Sequence, residues 1–269
     1  MFGRLIAPIT TNKGGREMLD ERRQELAQIL VQTGKLVVKD LAASYHVSAE
    51  TIRKDIAYLE KLGIAKKTHG GAIYINDERE LPFFHTSTLN RNLKAAVAQK
   101  AVSLIRGRVV VMDGGSTTLA IARLLSLKEN ITVFTNSLSA VPILANATGV
   151  NLILTGGEVR KVSQDQVGSW TTRAIREISA DIAFIGANSL VQKSGPSTSN
   201  MNEVEVKQAM IAASNRAYLV VDSSKLNVVS TYQFATWREF AGIVTDKGIS
   251  EEFVDRVSKF TEVIIADET

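Results

Sequence analysis

Val47-Ser48-Ala49-Glu50-Thr51-Ile52-Arg53-Lys54-Asp55-Ile56-Ala57-Tyr58-Leu59 decides the fold of the first part of the chain. Ile52, Ile56 and Leu59 fall at i, i+4 and i+7, the spacing of one helical face. Ser48 stands where a helix N-cap belongs, and Gly63 closes a helix that the pattern carries from Ala49 to Leu62. With that face packed inward, a turn of 100° per residue leaves Glu50, Arg53, Lys54, Ala57 and Lys61 pointing outward. Upstream, a shorter helix at about Lys39 to Tyr45 puts Leu41 and Ala42 on one side, and His46-Val47 turns the chain tightly between the two. Before it, Leu26, Ile29, Leu30 and Thr33 keep helical spacing across residues 19–33, and Gly34 is the stop. Three such helices with a short turn between the last two predict a helix-turn-helix. Downstream, strand-like runs at Ile64 to Lys67 and Ala72 to Ile75 flank His69-Gly70-Gly71, which reads as a β-hairpin wing.

Residues 1–17 carry paired glycines, a proline and no sustained period, and are expected to form a flexible extension. The periodic pattern starts directly after Met18, so a first domain is expected over residues 18–75 and a connector over 76–90. From residue 91 to 269 the rhythm changes. Short apolar runs at Val109 to Met112, Ile131 to Phe134, Val150 to Leu154, Ile182 to Ile185, Ala217 to Val221, Ile243 to Val244 and Val263 to Ile265 alternate with helical segments. That alternation predicts an α/β domain built on a mostly parallel sheet.

Charge is distributed unevenly. Residues 1–75 hold 12 Lys and Arg against 8 Asp and Glu, whereas the remainder holds 20 of each, so the whole formal charge of +4 lies in the first part. A basic head on a neutral body suits a nucleic-acid partner. With no cysteine and three dispersed histidines, neither a disulfide framework nor a metal centre is expected, and no cofactor is implied. No apolar run is long enough to span a bilayer and no signal pattern opens the chain, which predicts a cytoplasmic protein.

The outward face of the Ala49 helix has major-groove chemistry. Arg53 and Lys54 can donate to guanine or phosphate, Glu50 can accept from cytosine, and Ala57 permits close approach to a thymine methyl. Ser48 and Thr51 can donate to phosphate at the helix N-terminus, and Lys61, Lys66, Lys67 and His69 can hold the flanking backbone. A solvated charged helix would show a similar mixture. The run from Gly34 to Ala42, the run from Val47 to Ile56 and His69-Gly70-Gly71-Ala72, in this order and spacing, closely resemble the head of the deoxyribose-operon-repressor (DeoR) family. Where that family usually carries two arginines, this chain has Arg53 and Lys54, and lysine lacks the bidentate fork.

Polar clusters follow the predicted strands: Asp113-Gly114-Gly115-Ser116-Thr117-Thr118, Thr135-Asn136-Ser137, Gly156-Gly157, Gly186-Ala187-Asn188 and Asp222-Ser223-Ser224-Lys225. In a parallel sheet these gather at the carboxyl edge, where open α/β folds bind ligands. The first cluster opens a helix running to about Ser126 and suits a phosphate; Lys225 supplies a cation, and Asp113 or Asp222 can accept from sugar hydroxyls. Any one cluster reads equally as turn chemistry. Their order resembles the sensor domain of the same family, which belongs to a fold group shared with ribose-5-phosphate isomerase and CoA transferases. That resemblance implies a sugar phosphate or related effector, operator DNA as partner, and pocket positions at Asp113 to Thr118, Thr135 to Ser137, Gly156, Gly157, Glu203, Lys207, Asp222, Ser224 and Lys225. It implies a repressor of a carbohydrate operon without catalytic residues. The alternative is an isomerase-like enzyme carrying a DNA-binding head, with Asp113, Glu203, Asp222 and Lys225 as candidate acid, base and enediolate groups. A homo-oligomer is expected, because two heads on a repeated operator multiply a weak single-site contact.

Overall fold

A computed structural model describes residues 22–23, 25–27, 29–30, 33–61, 65–74, 83–191 and 194–267. The extension expected over residues 1–17 and the connector residues 76–82 lie outside them. The chain divides between Leu81 and Pro82 into two compact units.

In the first unit the described residues among 22–33 are helical, and the Gly34 N–H closes on the Leu30 carbonyl at 2.9 Å. Helices Val38–Ser44 and Ala49–Lys61 follow. Leu26, Leu30, Leu41, Ile52, Ile56 and Leu59 are buried together. Each such side chain stabilises by about 1.5–3 kcal/mol on leaving water. Strands Ala65–Thr68 and Gly71–Tyr74 form the wing as an antiparallel pair. A third strand, Lys35–Val37, pairs antiparallel with the outer side of Gly71–Tyr74, placing Val37 opposite Gly71 and Lys35 opposite Ile73. Its three residues alternate exposed, buried, exposed, so only Leu36 joins the core.

The second unit is built on seven parallel strands. Their order across the sheet is Glu262–Ala266, Gly242–Asp246, Ala217–Val220, Ile182–Ile185, Val109–Met112, Ile131–Thr135 and Val150–Leu154. Side chains alternate across the sheet as the pleat requires. Val110 and Met112 enter one apolar layer with Val97, Ile121 and Leu144, whereas Val111 enters the other with Ile175, Met210 and Phe253. Both faces of the central strands are covered, which is why they read as unbroken apolar runs, while the edge strands Val150–Leu154 and Glu262–Ala266 stay partly exposed.

Starting from Val109–Met112, the chain adds strands outward in one direction through Val150–Leu154, then returns to place Ile182–Ile185 on the other side and continues away. The order therefore reverses between Val109–Met112 and Ile182–Ile185. Beyond the carboxyl ends of two such strands the connecting loops diverge and leave a crevice. Two short additions lie outside the sheet: a hairpin of Glu158–Arg160 with Asp165–Val167, and a pairing of Ser197–Thr198 with Tyr232–Gln233. Residues 83–90, expected in the connector, begin the second unit with a helical turn at Phe83–Thr86 and precede helix Arg91–Ser103.

Candidate DNA interface and effector site

Helical spacing sets the outward face of Ala49–Lys61. Glu50, Arg53, Lys54 and Lys61 are exposed and Ala57 is half-buried, while Ile52, Ile56 and Leu59 are buried. The Ser48 hydroxyl accepts the Thr51 N–H at 3.1 Å, which caps the helix, and lies 2.9 Å from the Thr51 hydroxyl. Asp55, on the buried face, accepts from Arg22 at 2.7 Å and Arg23 at 2.9 Å. Arg23 also lies over the Tyr58 ring, 4.2 Å from its centre. A groove between this helix and the wing is lined by Glu50, Arg53, Lys54, Ala57, Lys67 and His69. On the wing Lys66, Lys67 and His69 are exposed. Lys67 is drawn toward the helix: its N–H donates to Glu60 at 2.9 Å and its ammonium lies 3.2 Å from the same carboxylate.

Two of the strand-end clusters of the second unit, those that begin at Asp113 and Gly186, meet at the reversal of strand order. Asp113, just past Val109–Met112, accepts the Gly186 N–H at 3.0 Å, linking the two strand ends that flank the reversal. Lys207, from helix Met201–Ala212, donates to Asp113 and to the Gly186 carbonyl at 3.1 Å. Glu203, one turn earlier on the same helix, accepts from the Thr198 hydroxyl and from Arg160 at 2.8 Å. Burial alone would lower the proton affinity of the Lys207 ammonium, but Asp113 and Glu203 outweigh it and hold it above its ordinary value.

The glycine-rich loop is shaped by two constraints. Gly115 has φ +121°, a conformation that favours glycine, and leads directly into helix Ser116–Leu125. A Cβ on Gly114 would come within 1.9 Å of the Asp165 carboxyl, so the acid packs directly on the backbone there. Ser116 is half-buried at the first helical position, Thr117 is buried, and the Thr118 hydroxyl turns back to the Gly115 carbonyl at 2.9 Å. Beside this loop the Thr135 hydroxyl accepts the Ser137 N–H at 3.1 Å. The Asn136 amide donates to the Gln166 carbonyl at 3.0 Å, and among the described residues its buried Oδ1 has no hydrogen-bond partner. Gly156 N–H donates to Gln166 Oε1 at 3.1 Å, and the Thr171 hydroxyl bridges the Gly156 carbonyl at 2.6 Å beside Gly157.

Asp222 closes the next strand end. It accepts from the Ser224 hydroxyl and from Asn90 at 3.3 Å, and Lys94 lies 3.7 Å away. Burial works to raise the Asp222 proton affinity, but Lys225 and Lys94 outweigh it and leave the carboxyl below its ordinary range. Lys94 is pushed down to about 8 by burial, with Lys225 adding and Asp222 opposing, so it remains an ammonium at neutral pH. Lys225 is half-buried. The sheet thus brings Asp113, Gly114, Glu203 and Lys207 into one connected group and places Asp222, Ser224 and Lys225 in a second.

Sequence reasoning did not find Arg160, Asp165, Asn90 or Lys94. Asp165 is the most unusual of them. Burial, with Asp113 and Glu203 adding, pushes its carboxyl well above the ordinary carboxylate range, and among the described residues its Oδ1 has no hydrogen-bond partner.

A winged helix-turn-helix joined to an α/β unit with a polar cluster at its strand reversal defines a ligand-responsive DNA-binding regulator. The DeoR-like helix-turn-helix domain matches residues 22–78 and the DeoR C-terminal sensor domain matches residues 89–247, so the chain belongs to the DeoR family of transcription regulators. It is 35% identical over 253 residues to a protein assigned as the aga operon transcriptional repressor of Escherichia coli O157:H7, covering 92% of this chain and 94% of that one. It is 31% identical to the HTH-type transcriptional regulator GolR of Listeria innocua, covering 86% and 92%. It is 29% identical to the lactose phosphotransferase system repressor of Lactococcus lactis, covering 91% and 98%. Ribose 5-phosphate isomerase A of Methanocaldococcus jannaschii matches 51% of the chain and 55% of its own at 22% identity and a TM-score of 0.37, a likeness too slight to carry an argument. Among the described residues no helix is long and apolar enough to cross a membrane.

Proposed function

We propose that this chain represses a carbohydrate operon and that a phosphorylated sugar, bound at the strand reversal, controls its hold on operator DNA. The half-buried start of helix Ser116–Leu125, directly after Gly115, carries the phosphate assignment, because the first N–H groups of a helix favour an anion. Lys225 adds a cation on the same carboxyl edge, two strands along, past Ile182–Ile185. The acids at the reversal supply acceptors for hydroxyls. On the DNA side Arg53, Lys54, Glu50 and Ala57 face the major groove, Ser48 and Thr51 approach phosphate, and Lys61, Lys66, Lys67 and His69 hold the backbone.

Turnover is not part of this reading. Asp113 is held by Lys207 and Glu203 by Arg160, so two of the acids that an isomerase would use as a base are already ion-paired. The relatives named as operon repressors support the same view. The assembly is a homo-oligomer acting on repeated half-sites.

Titration of the full chain, bound to its own upstream DNA, with a panel of pentose and hexose phosphates tests the reading. One member should change operator affinity at millimolar concentration or below and be recovered unchanged. Isomerised product would favour the enzyme, and DNA affinity indifferent to every member would remove the phosphorylated sugar.

A further inference from the structure

The hairpin Glu158–Val167 is bonded along its second strand to the loop after Ile131–Thr135, where the Gln166 N–H donates to the Asn136 carbonyl at 2.8 Å and the Leu138 N–H to the Gln164 carbonyl at 2.9 Å, and it makes two further contacts. On one side it covers the cluster at the strand reversal, with Arg160 on Glu203 at 2.8 Å and Asp165 packed on Gly114. On the other, its turn reaches the beginning of the second unit: the Val162 carbonyl accepts the Phe83 N–H at 2.7 Å. Pro82 is the first residue of that unit, so Phe83 lies where the chain arrives from the DNA-binding unit. A few residues later Asn90 donates to Asp222, and Lys94 donates to the carbonyls of Thr86 and Leu89 while standing beside Asp222. Residues 83–90 are therefore held at one end by the hairpin and at the other by Asp222.

The cluster under the hairpin is closed. Asp113 is 3% exposed, Lys207 5%, and Asp165 and Glu203 6% each. Arg160 on Glu203 and Asp165 on Gly114 are the hairpin's share of that enclosure. Arg160 pairs across the hairpin with Asp165, so the two side chains that touch the cluster are opposite one another and flank the turn that carries Val162. With Asp165–Val167 fastened to Asn136 and Leu138, the strand Glu158–Arg160 and the turn that carries Val162 are the part of the hairpin able to swing.

We propose that the hairpin Glu158–Val167 is a lid that also works as a lever: opening its first strand over the effector cluster withdraws Val162 from Phe83 and loosens residues 83–90. This rests on the effector reading above. The closed lid excludes ligand and the open lid admits it, which gives the ligand the differential affinity that any shift of state requires. Arg160 is a positioning residue whose pairing with Glu203 sets the balance between the two forms.

Hydrogen exchange of the full chain without ligand, followed by mass spectrometry on overlapping peptides, tests the coupling. Arg160→Met removes the latch from the hairpin and Glu203→Gln weakens it from the helix. Both should accelerate exchange in the hairpin and at Phe83 to Asn90 together, by roughly tenfold or more, and leave Val109 to Leu125 protected. Arg160→Lys, which keeps the charge, should restore part of the protection at both places. Faster exchange in the hairpin with residues 83–90 unchanged would overturn the lever, and so would unchanged exchange in both. Because no ligand is present, failure here leaves the effector reading standing, and failure of every sugar phosphate to bind leaves the measured coupling standing.

Discussion

The Lys94 ammonium lies 3.7 Å from the Asp222 carboxylate, with Lys94 4% exposed and Asp222 fully buried. Lys94 also donates to the Thr86 and Leu89 carbonyls, so one side chain fastens the start of the second unit to a strand end. Lys94→Met should cost about 3–5 kcal/mol of stability, as expected when one partner of a buried pair is removed. Lys225 still faces Asp222 and holds the loss toward the lower figure. Adding Asp222→Asn should recover part of it, since the uncompensated carboxylate is then gone. Denaturant unfolding of the parent and the two variants measures both effects, and a double variant no more stable than Lys94→Met would show that the carbonyl contacts, not the ion pair, carry the energy.

Arg53→Ala should weaken operator binding by roughly 1–3 kcal/mol and relax base preference while leaving nonspecific binding nearly unchanged. Arg53 is exposed, 3.5 Å from the equally exposed Glu50, and surface pairs of this kind contribute little to stability. Melting temperature should therefore match the parent. Anisotropy titrations with operator and scrambled DNA at one salt concentration provide the comparison; equal losses on both would make Arg53 a phosphate contact.

On the wing, Lys66→Ala should reduce the slope of log affinity against log salt by about one, as for a lost phosphate contact. Lys67→Ala should reduce it less, because the Lys67 ammonium already lies 3.2 Å from Glu60. Titrations across a salt series distinguish the two lysines, and a larger effect at Lys67 would mean that DNA draws it off Glu60.

Asp165 gives a pH signature. Its proton is held more tightly in the folded chain than in the unfolded one, so the folded state binds more protons and stability falls as pH rises from about 4 toward the raised value. Asp165→Asn keeps the shape and cannot ionise. The parent should thus lose stability relative to Asp165→Asn as pH rises through that window, and the two should converge near pH 4. Parallel curves in urea unfolding from pH 4 to 8 would show that Asp165 is an ordinary carboxylate.

Ser116→Glu should block a sugar phosphate without unfolding the chain. A carboxylate at the first position of helix Ser116–Leu125 is favoured by the helix dipole, by roughly 0.3–1 kcal/mol, yet it repels a phosphate at the same place. Lys225→Met should weaken the same ligand by removing a cation while keeping most of the stem. Calorimetry with the sugar phosphate that alters operator affinity reads both, and parental affinity in the two variants would move the phosphate elsewhere.

The parts legible in the sequence were those written in local periodicity. Ile52, Ile56 and Leu59 announced the buried face, and the same spacing puts Asp55 on it, although only the folded chain shows Arg22 and Arg23 beside it. The runs Val109 to Met112 and Ile182 to Ile185 coincide with strands because both faces of the sheet are covered there, whereas Val150 to Leu154 coincides with an edge strand that stays partly exposed. Strand Lys35–Val37 and the hairpin around Arg160 and Asp165 have three residues per strand, too few for a period to show. The partners of the missed groups are also remote: Arg160 meets Glu203 across 43 residues and Asn90 meets Asp222 across 132. Nothing in a local window marks such pairs.

The grip of Arg22 and Arg23 on Asp55 divides the recognition helix into two surfaces with separate fates. The side facing the core is fastened by charge as well as by Ile52, Ile56 and Leu59, so the seating of the helix depends on residues turned away from its exposed face. Glu50, Arg53, Lys54 and Ala57 stand outside that fastening. Duplicated copies of such a gene can drift at those four positions toward new binding sites while inheriting an unaltered scaffold, and a cell can keep many regulators of one shape without their crossing onto each other's promoters.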